Sequence, residues 1–549
     1  MRSPSRRTVT SVMHAINVSL VGACIIQCFR VFDEHLDRFA HIFGGPDVAR
    51  FLLTIVTGAI LCGTAYAALK HVMAEPEPES SHTLAPTGPL HDRLLAGRGT
   101  NYALEIRNAV VAVQGWGGRQ LWRKVRETAS QDRSFLENED PERAYPRDVA
   151  SVGQTYGILS GAVFGSAGTF AVEYWPVPTF VLGPPQHPEA FGRPADYIRD
   201  GRQGGGLAVT LFLWQDDEMS ENGQAMIERL FAFFDANPDV PEALVVVNDG
   251  DYERIAPGSG LLSRAAGIPR ILNTHAAMLV SRSDRVDKII RPYVNHHEGD
   301  VSLKDTESVG TRFWQFYWHK NNGQTPDAFE AYYTAKLVAE GKSGLAPMMS
   351  TDWWHTQLPE FWNAIGPQGD FKPTPFLPIR WTAAQLKHFD NTALVGYLHR
   401  PVRVPLRDDE GKSLPRSALV ANLQAGWAKA LNDAQGGRPS RVVFDSSHDA
   451  AWSDVLTDAL KGVPEPLALD EEPVGYDLRH RIGNTGAASP LAQIAVAAMA
   501  GHEDGRVSAT INVGLDGHAD IILVTPPDEA QRENNELSNA AYTLFGETK

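Results

Sequence analysis

The chain has 549 residues, more than one hydrophobic core usually serves, so several domains are expected. Its 43% hydrophobic and 21% charged residues supply enough apolar surface for sizeable cores, which excludes wholesale disorder. The net charge of −16 arises outside the first 72 residues, and a body that acidic lacks the basic face with which a nucleic-acid binder displaces counterions.

Cys24, Cys28 and Cys62 are the three cysteines, and all lie in apolar stretches near the N-terminus. The acidic body therefore has no disulfide framework, no CxxC zinc clip and no cysteine nucleophile. Residues 8–29 and 51–69 carry no charge, and each run is about as long as a helix needs to cross a bilayer. The expectation is a transmembrane helical hairpin over 1–72, placing the protein in the bacterial inner membrane as a multi-pass protein. The basic Arg2, Arg6 and Arg7 favour a cytoplasmic amino terminus and body. A periplasmic body is the alternative if only one run spans. A secretory signal is the competing reading of the first run, but no small-x-small cleavage site closes it. Residues 73–97, with AEPEPESSHTLAPTGP, are expected to form an extended, solvated Pro/Glu/Ser-rich linker.

From residue 98 the pattern becomes α/β. YALEIRNAVVAVQGW reads as a strand and GRQLWRKVRET as a helix; GLAVTLFLWQ reads as a second strand, QAMIERLFAFFDA as an amphipathic helix and EALVVVNDG as a buried strand. This order predicts parallel strands covered by helices, and residues 98–375 are expected to form one α/β domain. FWQFYWHK, TDWWHTQLPEFW and FKPTPFLPIRW hold many of the twelve tryptophans. Such a set either anchors a partner or fills a core between two domains, and core filling is favoured because large aromatics are mostly buried. Beyond residue 376, 418–432 reads as a helix, RVVFDSS as a strand and AWSDVLTDALKG as a helix. IGNTGAASPLAQIAVAAMAG reads as a glycine-bearing loop running into an Ala-rich buried helix, and RVSATINVGLDGHADIILVTPP as a hairpin turning at Asp516-Gly517.

Local chemistry is sparse. There is no G-x-S-x-G elbow, no Walker loop and no G-x-G-x-x-G after a strand. GRQGGG (201–206) precedes a strand, the wrong order for a phosphate cradle, and reads as a plain loop. NHHEGD (295–300) offers His296, His297 and Glu298, but adjacent side chains diverge and no HExxH spacing supports a metal site. SSHDAAW places His448 and Asp449 beside Ser446 and Ser447; triad members are assembled by the fold and seldom adjoin in sequence, so a triad there is disfavoured.

The last 70 residues, IGNTGAASPLAQIAVAAMA followed by ATINVGLDGHADIILV, resemble the end of a thiolase-like β-ketoacyl synthase. In that resemblance a glycine-bracketed histidine opens the Ala-rich helix; here the position holds Asn484. VVFDSSHDAAWSDVLTDAL resembles the segment around the other synthase histidine, with His448 near that place. The acyl-accepting cysteine is missing, so the resemblance implies a thiolase-like fold for 376–549 without a covalent acyl intermediate, and Asn484 lacks the imidazole that would polarise a thioester. A wider resemblance rests on the N-terminal apolar segment, ALEIRNAVVAVQGWGGRQLWRKV with SFLENEDP, SRSDRVDKIIRPYV and the thiolase-like end. These are similar to the bacterial type VI lipase adapter family of Tla3-like proteins. That resemblance implies a non-enzymatic accessory protein, with no catalytic residues, cofactor or metal. Its implied partners are a phospholipase effector, the spike protein of a type VI secretion system and, through 8–29 and 51–69, a membrane. The alternative is a thiolase-like enzyme or acyl-chain binder that reuses the old cleft, with His448 and Asn484 lining it.

Overall fold

The computed structural model describes residues 88–97, 101–128, 134–136, 149–182, 211–214, 223–251, 270–296, 308–322, 351–433, 437–446, 451–514 and 517–537. The stretch expected as solvated linker ends in a helix, α1 (Pro89–Ala96), where Pro89 occupies a first-turn position that needs no N–H partner. Leu94 and Leu95 of α1 are buried, and Leu94 packs with Ala103, Leu394 and Tyr397. This part is therefore docked rather than extended in solvent.

Strand β1 (Ala103–Val113) is buried along its whole length. Tyr102, Leu104 and Ile106 face one core, and so do Ala109, Val111 and Val113. The even-to-odd switch marks a bulge: Ile106 pairs with Val280 and Asn108 with Leu279, which leaves Arg107 as the extra residue. One inserted residue exchanges the faces of everything after it. At the other end, Gln114 and Gly115 both take positive φ (49° and 89°). That is the geometry of a two-residue hairpin turn, and it joins β1 to β2 (Trp116–Gly117). Helix α2 (Gly118–Glu127) then buries Leu121, Trp122 and Val125.

The first half continues through α3 (Val149–Gly168), β3 (Pro176–Leu182), β4 (Leu211–Trp214), α4 (Gly223–Ala236), β5 (Glu242–Asp249) and β6 (Thr274–Ser281). Of the expected strand Gly206–Gln215, the described part is β4; the remainder, with the GRQGGG loop, lies outside the described residues. Helices α5 (Val309–Asn322), α6 (Thr351–Ile365) and α7 (Ala383–Asp390) follow. The second half comprises β7 (Gly396–His399), β8 (Val402–Pro405), α8 (Arg416–Asp433), β9 (Arg441–Phe444), α9 (Ala451–Lys461), β10 (Gly475–Asp477), α10 (Ser489–Asp504), β11 (Ser508–Val513), β12 (His518–Thr525) and α11 (Glu529–Leu537).

The twelve strands among the described residues form one mixed sheet, in the order β10-β9-β11-β12-β7-β1-β6-β5-β3-β4, with β2 on β1 and β8 on β12. The parallel strands expected in the first half are present, since β3 pairs in parallel with both β4 and β5. The second half repeats the arrangement, with β9 parallel to β10 and β11. In each half an antiparallel strand, β6 or β12, then leads to the first strand, β1 or β7. β1 and β7 pair antiparallel, so the halves meet about an approximate two-fold axis at Leu104 and Leu398.

One side of the sheet is covered by α2, α4 and the Ala-rich α10, buried through His502. The other side carries α3, α5 and α6 over the first half and α8 and α9 over the second. The aromatic set fills this second layer: Phe313, Tyr317, Trp354 and Trp381 are buried against Val110, Leu244 and Ala277. It is core, as favoured, but on a sheet face of the first half.

The multi-pass inner-membrane localisation expected from the sequence needs correction. Among the described residues no helix is long and apolar enough to cross a membrane. The apolar helix α10 owes its composition to burial against the sheet, as an all-round hydrophobic helix in a large core does. The two runs expected to span, 8–29 and 51–69, lie outside the described residues.

Candidate functional site at the head of helix α10

Four strands of the two halves, β5, β9, β10 and β11, bring polar residues towards the head of α10, which the loop 482–488 opens. The carboxyl ends of parallel strands are where α/β folds place their sites. Asp249 ends β5, Asp445 follows β9, Asp477 ends β10 and Asn512 lies near the end of β11.

Asn484 sits on this loop, half-buried. Its side-chain Oδ1 accepts from the Gly486 N–H at 2.9 Å, and its carbonyl accepts from the Leu272 N–H at 2.8 Å. The loop is tied to β5 by Asp249, fully buried, whose carboxylate accepts from the backbone N–H groups of Gly250 and Ala487, both at 2.7 Å. A carboxylate on the first N–H groups of a helical segment satisfies donors that have no partner within the helix and matches the positive end of its dipole. On the other side, Ser489 Oγ donates to Asp445 at 2.5 Å. Gln493, also fully buried, lies 3.1 Å from that hydroxyl and 2.8 Å from the Asn512 side chain. Ser446 donates to Asp477 through both N–H and Oγ, the latter at 2.6 Å. Burial pushes the Asp477 carboxyl above its ordinary range, and the nearby Asp445 adds to the shift, while the Ser446 hydrogen bonds oppose it. The buried Arg481 guanidinium fixes the loop from behind by donating to the carbonyls of Val125 and Thr128 and to Glu472.

Gly486 cannot be replaced without cost. It adopts φ +58°, and a β-carbon there would overlap the Asp249 carboxylate. Gly486→Ala should lose about 2 kcal/mol or more in urea unfolding, from left-handed strain plus displacement of Asp249. Gly411→Ala, at φ +79° with no atom within 4 Å of the new carbon, should lose only about 1 kcal/mol. Equal losses would show that the Asp249 contact does not matter.

Of the two expected synthase positions, Asn484 lies in this cluster and His448 lies outside the described residues. His296 is on a separate segment beyond Asn295, which bridges to Thr382; the rest of NHHEGD lies outside the described residues. Asp249, Asp445, Asp477 and Gln493 escaped the sequence reading. The available signal was an Asp at the end of three short apolar strands, VVVND, VVFD and GYD. Chemically, a carboxamide at 484 neither takes nor gives a proton at ordinary pH. Its neighbouring hydrogen bonds close a loop.

Residues 102–260 match the family described as type VI lipase adapter protein Tla3, N-terminal, and residues 395–526 match its C-terminal counterpart. Together these cover more than half of the sequence. The chain belongs to the type VI lipase adapter family. The first match runs from just before β1 to beyond β5, and the second spans β7 to β12. The matches thus take in strands of both halves of the sheet, all but β6, including those that build the site. Solved structures show a lower level of similarity. A point mutant of CsyB is 10% identical, with a TM-score of 0.37 over 77% of this chain and 100% of that one. The ketosynthase from module 6 of the bacillaene synthase of Bacillus subtilis 168 is 11% identical, with a TM-score of 0.36 over 78% of this chain and 71% of that one.

Proposed function

We propose that the protein is a non-enzymatic adapter that binds a lipase effector and brings it to the spike of a type VI secretion system. The observation that carries this reading is the paired family match, which takes in strands of both halves of the sheet. The chemistry agrees with it. Residues 98–549 contain no cysteine, and the polar groups at the head of α10 are spent on holding the loop to β5 and β9. In this reading His448 and Asn484 are vestiges of synthase positions, and 98–375 and 376–549 are the two α/β parts of one recognition body. The acidic surface steers a basic face of the cargo during encounter.

The test is co-expression of the tagged chain with the lipase and the spike protein of its own secretion system, followed by affinity purification. The lipase should co-elute, with the spike recovered in the same complex. Asn484→Ala should retain the lipase to within about twofold, because that side chain serves its own loop. Failure to retain any lipase, or turnover of an acyl thioester by the purified chain that Asn484→Ala abolishes, would overturn the reading.

A further inference from the structure

A cavity of about 60 Å³ opens where the two halves meet, away from the head of α10. Its apolar surface comes from Ile521 and Leu523 of β12 and Ala430 of α8, with the Tyr102 ring nearby. Around them stand four polar groups that, among the described residues, keep bonding capacity to spare. His399 is only 8% exposed. Its Nε2 lies 2.8 Å from Thr525 Oγ1, and its Nδ1 has no partner among the described residues. The Asn101 amide, the Lys429 ammonium and the Asp433 carboxylate likewise have no hydrogen-bond or ion-pair partner among the described residues. Arg400 also lines the cavity, but it is committed to Glu228 and Asp235 at 2.7 and 2.6 Å, and Asp235 also accepts from the Tyr102 hydroxyl.

Lys429 and Asp433 lie four residues apart on α8, on one helical face, and yet form no ion pair with each other. An opposite pair that stays unpaired beside a pocket of mixed polar and apolar lining suits a ligand that carries both charges. A simple anion placed at Lys429 would face Asp433, and a simple cation placed at Asp433 would face Lys429. We propose that this cavity binds a small zwitterion of the α-amino acid class, with its carboxylate on Lys429, its ammonium on Asp433 and its short side chain against Ile521 and Leu523. Asn101 and His399 Nδ1 supply the remaining hydrogen bonds. The volume matches about four or five water-sized spheres, which favours the smallest members of the class.

The experiment is a titration of the full chain with L-alanine, followed by ligand-observed NMR, alongside acetate and methylammonium as the two half-ligands. L-alanine should saturate, and each half-ligand should bind about tenfold more weakly or worse. Lys429→Met and Asp433→Asn are both at the helix surface and should each weaken L-alanine by about tenfold or more, with the circular dichroism spectrum unchanged. Absence of saturation, acetate binding as tightly as alanine, or unchanged affinity in both variants would overturn the proposal. None of these outcomes bears on lipase binding, so this proposal and the adapter reading fail separately.

Discussion

Arg107→Met should destabilise the body by about 3–5 kcal/mol in urea unfolding, because it strands a carboxylate in the middle of the sheet. Glu105 is fully buried and Arg107 is 2% exposed. Glu105 and Arg107 stand two residues apart on one face of β1 and meet there: Arg107 donates to Glu105 Oε1 at 3.2 Å, to Ser281 Oγ at 2.7 Å and to the Thr392 carbonyl at 3.1 Å. Ser281 Oγ and the Ser283 N–H complete the carboxylate's shell at 2.9 and 2.7 Å. His91 of α1 lies 3.8 Å from Glu105 and bridges the Ser283 and Tyr397 hydroxyls. Two stretches that carry the family resemblance, ALEIRN and SRSDR, thus converge on one buried network that also holds α1 and β7. Replacing both partners with apolar groups removes the stranded charge, so Glu105→Leu combined with Arg107→Met should recover much of the loss. A single Arg107→Met within about 1 kcal/mol of the natural protein would mean that water or a rearranged His91 compensates the carboxylate.

The residues that build this network show why some of the structure is legible in the sequence and some is not. β1, α2, α4, β5, α10 and the closing hairpin follow from local periodicity, since each element's burial is written into its own residues. The bulge is written there too, as a switch from even to odd apolar positions, but it looks like ordinary interruption until β6 supplies the register. The repeated strand order escapes a sequence reading because β10, with three residues, is too short for any period to register, and because β9, though legible as RVVF, takes both its partners from elsewhere in the chain. Asn484 is legible as a loop residue at the head of a buried helix. Its loop's anchor, Asp249, lies more than 200 residues earlier, and no local pattern links residues that only the sheet brings together. The aromatic set is legible as core from its composition alone, whereas the face it covers depends on which strands pair.

Acid should unfold the body steeply below pH 6.5, and buried histidines are the reason. Burial holds His275 down at about 3 and His399 at about 4, against an ordinary 6.5. His502, depressed to about 4 chiefly by burial and also by the nearby Arg119 and Arg532, behaves in the same way. Between pH 6.5 and about 4 the unfolded chain binds these protons and the folded chain does not, so each imidazole removes about 1.4 kcal/mol of stability per pH unit as the pH falls. Glu242 works in the opposite sense. Burial raises its carboxyl to about 7, offset in part by the Val172 N–H that donates to it at 2.8 Å and by Arg107. Between pH 7 and 4.5 the folded chain holds a proton there that the unfolded chain has lost, so this group costs stability as pH rises through that window. Glu242→Gln should therefore be more stable than the natural protein at pH 8, by roughly 2–3 kcal/mol, with the difference closing below pH 4.5. It should also steepen the acid loss, whereas His399→Asn should flatten it by about one proton. Thermal midpoints measured from pH 4 to 8 separate these effects. If Glu242→Gln shifts the midpoint equally at pH 4.5 and pH 8, the effect comes from packing alone and the protonation argument fails.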